Sequence, residues 1–333
     1  MKAKRITIIF TGGTIAMGTD PKTGGAVPLL HGEDLLAGMP ELKGLADIQI
    51  LNFCNKPGPH ILLGDVLELS QTIRGLFAQD QADGVVITHG TDTLEETAYA
   101  LDLLLSCDNP VIVTGAMRTS SMLSPDGPAN LFNAILTAAD EKARGKGVMV
   151  VFNNEIHLAR EVTKASATQL NAFRSPLFGP IGVIYGRSVQ FVRAGGLRET
   201  IPVMKITAQV ELITFTLGMG TLLFEAVKNS SADGLVIEAS GVGHVSPEVA
   251  QAVKHIVEAG KPVVLTSRCT EGLVLEDTYA FIGSEKYLRQ IGAIPAPGLS
   301  GIKTRIKLIM ALSKTRDVQL IRELFNFPIE YRA

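Results

Sequence analysis

Cysteine is scarce in this sequence of 333 residues. The three it has, Cys54, Cys107 and Cys269, are odd in number, far apart and never in a Cys-x-x-Cys pair. That excludes a disulfide framework and a thiolate metal site, and they read as buried or neutral thiols in a reducing compartment. No block of Lys or Arg is present that would neutralise a run of phosphates, and 31 basic against 33 acidic residues leave a formal charge of −2. Nucleic acid is therefore not an expected partner. No window approaches the roughly 18 consecutive apolar residues of a membrane span. The start, Met1 to Arg5 and then only Ile6 to Phe10, is too short for a signal-peptide apolar core and lacks a cleavage site. A cytoplasmic protein without membrane association is expected. Fixed-period repeats and low-complexity tracts are missing, as are the Gly-x-Gly-x-x-Gly and Gly-x-x-x-x-Gly-Lys-Ser/Thr patterns, so nucleotide binding lacks its usual signatures.

What is present is apolar: 46% hydrophobic residues against 19% charged, with a mean hydropathy of +0.25. Bulk disorder is excluded, and at roughly 100–200 residues per domain the length predicts two domains. With no membrane segment to absorb it, the apolar surplus goes into cores or subunit contacts, which points to a soluble oligomer. Short β-branched runs at Arg5–Phe10, Ile48–Phe53, Gly84–Thr88, Val111–Thr114 and Val148–Phe152 alternate with helical patterns near Asp65–Gln79, Thr93–Ser106 and Asp126–Lys142. This alternation predicts a parallel α/β sheet, apolar on both faces, with polar residues collected at the carboxyl ends of the strands, where such sheets bind ligands. A second series follows: strands Leu212–Thr216, Leu235–Glu238 and Pro262–Thr266, with helices near Thr221–Lys228, Pro247–Ala259 and Ser300–Leu312. The expected domains are 1–186 and 212–333, joined by a linker, 187–211, that carries Gly195-Gly196 and Pro202 and shows no helical period.

Three polar clusters stand after expected strands. In Thr11-Gly12-Gly13-Thr14-Ile15, two glycines let the backbone turn tightly and aim N–H groups beside Thr14. This reads either as an attacking Thr14 with its oxyanion hole or as a Gly-rich turn or phosphate cradle. His89-Gly90-Thr91-Asp92-Thr93-Leu94-Glu95-Glu96-Thr97 opens a helix. Thr91, Asp92 or Thr93 would cap it, but a run of four polar side chains exceeds what capping needs. His89 reads as a hydrogen-bonded structural residue, since no second His or Cys stands at ligand spacing. In Arg160-Glu161-Val162-Thr163-Lys164, the Lys is ordinarily a solvated charge. It gains a chemical role only if folding carries it to Asp92, where a carboxylate–ammonium pair beside Thr91 would withdraw that hydroxyl's proton.

In combination and order these three motifs resemble the bacterial L-asparaginase/glutaminase family. Gly115-Ala116-Met117-Arg118, the stretch Ser124-Pro125-Asp126-Gly127-Pro128-Ala129-Asn130-Leu131, Gly241-Val242-Gly243 and the Lys303–Leu312 helix extend the likeness over nearly the whole chain. The resemblance implies an α/β protein with a larger N-terminal parallel-sheet domain and a smaller flavodoxin-like C-terminal α/β domain. It also implies a homodimer or homotetramer with sites between subunits. Position by position it makes Thr14 the nucleophile and Thr91, Asp92 and Lys164 the second catalytic group. Gly13 and Gly90 become backbone contacts, and Ala116 the contact to the substrate amide. No metal or cofactor is implied: a threonine hydroxyl attacks an amide carbon, ammonia leaves, and water releases the acid from an acyl-enzyme.

The sequence departs from the family pattern in three places. Family members generally carry a Tyr some ten residues after the first catalytic Thr; here the loop Met17–Leu30 has Ala26 or Val27 near that position, and the first tyrosine is Tyr99. Gly18, Gly24 and Gly25 still favour a flexible lid. The polar pair that meets the substrate α-carboxylate is replaced by Asn55-Lys56-Pro57-Gly58-Pro59-His60, in which Asn55, Lys56 or His60 would substitute. His244 follows Gly241-Val242-Gly243 where members that share a site often place Asn. The sequence thus predicts a hydrolase acting on a small carboxylate-bearing amide, with L-asparagine the leading substrate. The alternatives are a different small amide or lactam, or a catalytically weak ligand-binding homologue.

Overall fold

The computed structural model describes residues 3–29, 32–42, 44–196 and 198–326. The chain forms two compact units that divide between Thr200 and Ile201, inside the segment expected as a linker.

In the first unit, strands Arg5–Gly12 (β1), Asp47–Lys56 (β2), Gly84–Thr88 (β3), Val111–Thr114 (β4) and Val148–Phe152 (β5) run parallel in the spatial order β2-β1-β3-β4-β5. Ile8 stands opposite Ile50 on one side and Val86 on the other. Helix layers explain why β1, β3, β4 and β5 are apolar on both faces. Ile6, Ile8, Val86, Ile112 and Met149 share a core with Leu131, Ala134 and Ile135 of the third long helix of the chain. The alternate residues, among them Ile9, Ile87, Val113 and Val150, are fully buried on the opposite face. The helices are Leu63–Ala78 (α1), Leu94–Leu104 (α2), which packs on α1, β4 and β5, and Gly127–Ala139 (α3), which packs on β3, β4 and β5. Burying each such Ile, Leu or Val fully is worth about 1.5–3 kcal/mol. β2 departs from the expected two-faced burial: it is the edge strand, and several of its side chains, including Gln49 and Asn52, are exposed.

Beyond β5 the sheet continues with three strands not expected from the sequence, Glu155–Leu158 (β6), Gly182–Tyr185 (β7) and Ser188–Phe191 (β8), all antiparallel to their neighbours. Phe152 pairs with Glu155 across the two-residue turn Asn153-Asn154, whose φ angles of 48° and 66° are those of a primed hairpin turn, which asparagine tolerates. β8 corrects the linker's start: residues 188–191 belong to the large sheet, because Gly186-Arg187 turns the chain back from β7.

The second unit holds Val210–Thr214 (β9), Gly234–Ala239 (β10), Val263–Ser267 (β11) and Ile294–Pro295 (β12), parallel and in chain order. β9 begins inside the expected linker. Leu222–Asn229 (α4), Pro247–Glu258 (α5) and Glu285–Gln290 (α6) contribute Phe224, Val253, Ile256 and Leu288 to the core around Leu235, Ile237 and Leu265, and Gly301–Lys314 (α7) packs on β9, β10 and β11. The 2-1-3-4-5 strand order of the flavodoxin type belongs to the parallel strands of the large unit.

Candidate active site

From β1 the chain moves outward to β2, then crosses back to β3 on the other side of β1. Strand order therefore reverses between β1 and β3, and open α/β sheets bind ligands at the carboxyl ends of the strands flanking such a reversal. The loops leaving these two strands carry the first two motifs. Buried hydroxyls stitch this edge together: Thr11 Oγ1 donates to the Thr88 carbonyl at 2.7 Å and Thr114 Oγ1 to the Val151 carbonyl at 2.7 Å. Gly13, at φ 83° and ψ 179°, occupies backbone space that only glycine enters readily. A Cβ there would lie 2.4 Å from the Gly90 nitrogen, and one on Gly90 would lie 2.6 Å from the Gly58 nitrogen. The glycines permit three loops to touch backbone to backbone, a purpose beyond the tight turn that the sequence suggested. Thr14, next to Gly13, is half-buried and opens a single 3-10 turn.

The second and third motifs meet. Lys164 Nζ donates to Thr91 Oγ1 at 3.0 Å and to Asp92 Oδ1 at 2.6 Å. Thr91 is buried, the Lys164 side chain is 14% exposed and that of Asp92 65%, so the pair spans from the interior to solvent. Side-chain capping of the helix does not account for the hydroxyl run. Thr93 is the N-cap of α2, yet its side chain makes no capping bond, and Thr91 bonds Lys164 instead. Glu95, to which the motif alone gives no role, is buried in the first turn of α2. Its Oε1 accepts from the Lys164 backbone nitrogen at 2.8 Å and from Thr163 Oγ1 at 3.1 Å. At the other end of the motif, Arg160 pairs with Glu199 and Glu161 with Arg193.

His89 has the structural role expected of it. Its Nδ1 lies 2.8 Å from the Gly90 carbonyl, which can only accept, so Nδ1 carries the proton and Nε2 accepts from Thr97 Oγ1 at 2.9 Å. Complete burial holds this imidazole below the usual histidine range. A depressed pKa in the folded state means that the unfolded chain binds the proton first as pH falls. The stabilisation by neutral His89 is therefore intact above about pH 6.5 and is lost progressively below it, at up to about 1.4 kcal/mol per pH unit. Chemical denaturation at pH 7.5 and pH 5 should show a larger acid loss for the wild-type chain than for His89→Gln; equal losses would contradict this account.

Ala116 is fully buried in a loop that Asp126 and Asn130 hold. The Asp126 carboxylate accepts from the backbone nitrogens of Met117 and Arg118, and Asn130 Nδ2 donates to the Gly115 carbonyl. The segment expected as a flexible lid forms a short hairpin, Met17–Thr19 against Ala26–Pro28, closed by the Gly24-Gly25 turn and bonded by serines. Ser120 bonds the Met17 carbonyl, and Ser121 Oγ lies 2.8 Å from Thr19 Oγ1. In the hairpin Val27 is half-buried opposite Gly18, and Ala26 is exposed opposite Thr19. Leu30, the end of the expected lid, lies outside the described residues.

The polar residues of 55–60 are not brought together in one way. Lys56 Nζ is held by the Asp65 carboxylate at 2.8 and 2.9 Å, an ion pair at the start of α1, whereas Asn55 and His60 are exposed. His244 belongs to the second unit, where Nε2 lies 3.0 Å from Glu285 Oε2 and the ring meets Tyr279 and Phe281 edge-on. Among the described residues, no group of three or more His, Cys, Asp or Glu is disposed to hold a metal ion, and no helix is long and apolar enough to cross a membrane.

Fold and site together define a two-unit α/β protein with a threonine–lysine–aspartate set at a strand-order reversal. The asparaginase N-terminal model matches residues 5–195, and the glutaminase/asparaginase C-terminal domain model matches residues 209–325. The sequence is 35% identical to L-asparaginase 2 of Escherichia coli (strain K12), over 96% of this chain and 92% of that protein. It is 33% identical to the glutaminase-asparaginase of Pseudomonas fluorescens biotype A, over 97% of this chain and 90% of that one. A crystal structure described as a probable cytoplasmic L-asparaginase from Campylobacter jejuni superposes with a TM-score of 0.85 at 34% identity, covering 97% of this chain and 99% of that chain. The chain belongs to the asparaginase/glutaminase family.

Proposed function

We infer that the chain is an asparaginase-type amidohydrolase that releases ammonia from a small carboxylate-bearing amide, with L-asparagine the leading substrate. The observation that carries this reading is the contact of Lys164 Nζ with both Thr91 Oγ1 and Asp92 Oδ1. A pure binding site has no need of a hydroxyl joined to a lysine–carboxylate pair. Thr14 Oγ1 attacks the amide carbon, and the negative oxygen that forms is held by backbone N–H groups at Gly13 and Gly90 and by the Thr91 hydroxyl. The proton given up by the Thr14 hydroxyl ends on the amide nitrogen, the C–N bond breaks, and ammonia leaves behind an acyl-Thr14 ester. In the second half, Lys164 passes a proton to Asp92, its free amine takes the proton of Thr91, and Thr91 takes one from the water that attacks the acyl-Thr14 ester. The departing Thr14 oxygen takes the proton back as the ester bond breaks and the acid is released. Asn55, Lys56 or His60 meets the substrate carboxylate, Lys56 with Asp65 as its standing partner, and Ala116 contacts the substrate amide. His244 completes the site from a neighbouring copy in a cytoplasmic homodimer or homotetramer, and the likeness to the probable cytoplasmic L-asparaginase of Campylobacter jejuni supports the compartment.

A second reading, hydrolysis of a different small amide or a lactam, is favoured by particular observations: no phenol stands in the 17–28 hairpin, and the cation of the 55–60 segment is neutralised by Asp65. Ala26 and Val27 supply no proton acceptor to Thr14. Asparagine turnover is accordingly expected to be slow, with a kcat below the typical enzyme value of about 10 s⁻¹. Val27→Tyr should raise it, since Val27 rather than Ala26 is the half-buried position. Steady-state ammonia release from both proteins checks this. A fast wild-type enzyme would show the phenol to be dispensable. No gain from the tyrosine, together with good turnover of another amide, would assign the loop to a different substrate.

A further inference from the structure

We propose that Glu95 is a positioning residue that sets the distance between Lys164 and Thr91, an inference that rests on the amidohydrolase reading above. Thr91 and Asp92 immediately precede α2, so the start of that helix fixes their position. Lys164 comes from a different part of the chain, the two-residue strand Thr163–Lys164, whose ladder is short: Lys164 pairs with Phe173 and Thr163 with Arg174. Glu95, 5% exposed, ties the two together, because one oxygen of a side chain in the first turn of α2 accepts from both the Lys164 backbone nitrogen and the Thr163 hydroxyl. The backbone of the lysine is thereby referenced to the element that carries its partners. Its ammonium sits at the end of a four-carbon stem with many rotamers. Pinning the backbone leaves the stem one task, to span from a fixed root to Thr91 and Asp92, and a misplacement of about 1 Å in such a constellation costs on the order of 100-fold in rate.

A carboxylate in the first turn also interacts favourably with the helix dipole, and the two roles predict different variants. Gln at 95 keeps an oxygen acceptor for the Lys164 nitrogen and Thr163 but loses the charge; Ala loses both. Positioning predicts that Glu95→Ala lowers kcat on L-asparagine by about 100-fold with KM within about 3-fold, and that Glu95→Gln stays close to wild type. Thr163→Val, which removes one of the two contacts, should fall between them, and it serves if the alanine variant does not fold. A readout that needs no turnover is the rate at which acetic anhydride acylates the Lys164 amine, followed by peptide mass spectrometry. It should rise in Glu95→Ala and Thr163→Val and remain at the wild-type rate in Glu95→Gln. Unchanged labelling in both Glu95→Ala and Thr163→Val, or equal losses in the Gln and Ala variants that follow their melting temperatures, would overturn the proposal. Lys164→Met separates the two levels. If it retains activity, the amidohydrolase reading fails; if it is inactive while Glu95→Ala and Thr163→Val behave as wild type, only the role of Glu95 fails.

Discussion

Lys164→Met is expected to lower ammonia release by at least about 1,000-fold, near 4 kcal/mol of barrier, because it removes the group bonded to both Thr91 and Asp92 while keeping the length of the side chain. Asp92→Asn should be severely impaired as well. Its carboxylate stands 2.6 Å from Lys164 Nζ, and an amide in its place can neither take the lysine's proton nor serve as counter-ion to its ammonium. Because the ion pair acts as a unit, the double variant should be little worse than the poorer single one. Additive losses in a steady-state double-mutant cycle would show that the two act on separate steps. Asp92 is mostly exposed, so the contribution of the pair to stability is small, and the loss should appear in kcat rather than in the melting temperature.

The second large effect is expected at Thr14. Thr14→Val exchanges a hydroxyl for a methyl at nearly constant volume, in a half-buried turn bounded by Gly13, and removes the oxygen assigned to attack the amide. Turnover of any accepted substrate should vanish while binding persists, which ligand-dependent thermal shift would detect. Retention of more than about a tenth of the activity, less than about 1.4 kcal/mol in barrier, would take Thr14 out of the nucleophile role and pass it to Thr91, whose hydroxyl is the one bonded to Lys164.

Much of the fold was legible because its central strands are buried on both faces, which writes continuous β-branched runs into the sequence: Gly84–Thr88, Val111–Thr114 and Val148–Phe152 begin and end where the apolar runs do. The antiparallel continuation was harder to see. Its strands are four residues long, and its signal is the pair Asn153-Asn154, which specifies a primed turn only once the flanking residues are known to pair. At the site, residue types were readable and their partners were not. Lys164 and Asp92 are 72 positions apart, and nothing local says that a strand of two residues will lay one against the other. Lys56 is a similar case: the loop comparison made it one candidate for the substrate carboxylate, and its ion pair with Asp65, nine residues on, was not legible beside it. Glu95 was hidden for a related reason, since an acidic residue in the first turn of a helix ordinarily needs no explanation beyond the helix dipole. The glycines were assigned to turns, yet the Gly13–Gly90 contact is an approach of two backbones distant in sequence.

The most direct test of the central claim is ammonia release by the wild-type chain, measured by a coupled glutamate dehydrogenase assay across small amides with and without a carboxylate, together with lactams opened chemically after incubation to detect residual ring. The account predicts ammonia from at least one linear carboxylate-bearing amide, including slow release from L-asparagine, and none from the same substrates with Lys164→Met. Wild-type protein that releases no ammonia from any of these amides, while ligand-dependent thermal shift shows that it binds them, would contradict the account and leave a binding protein in place of an amidohydrolase.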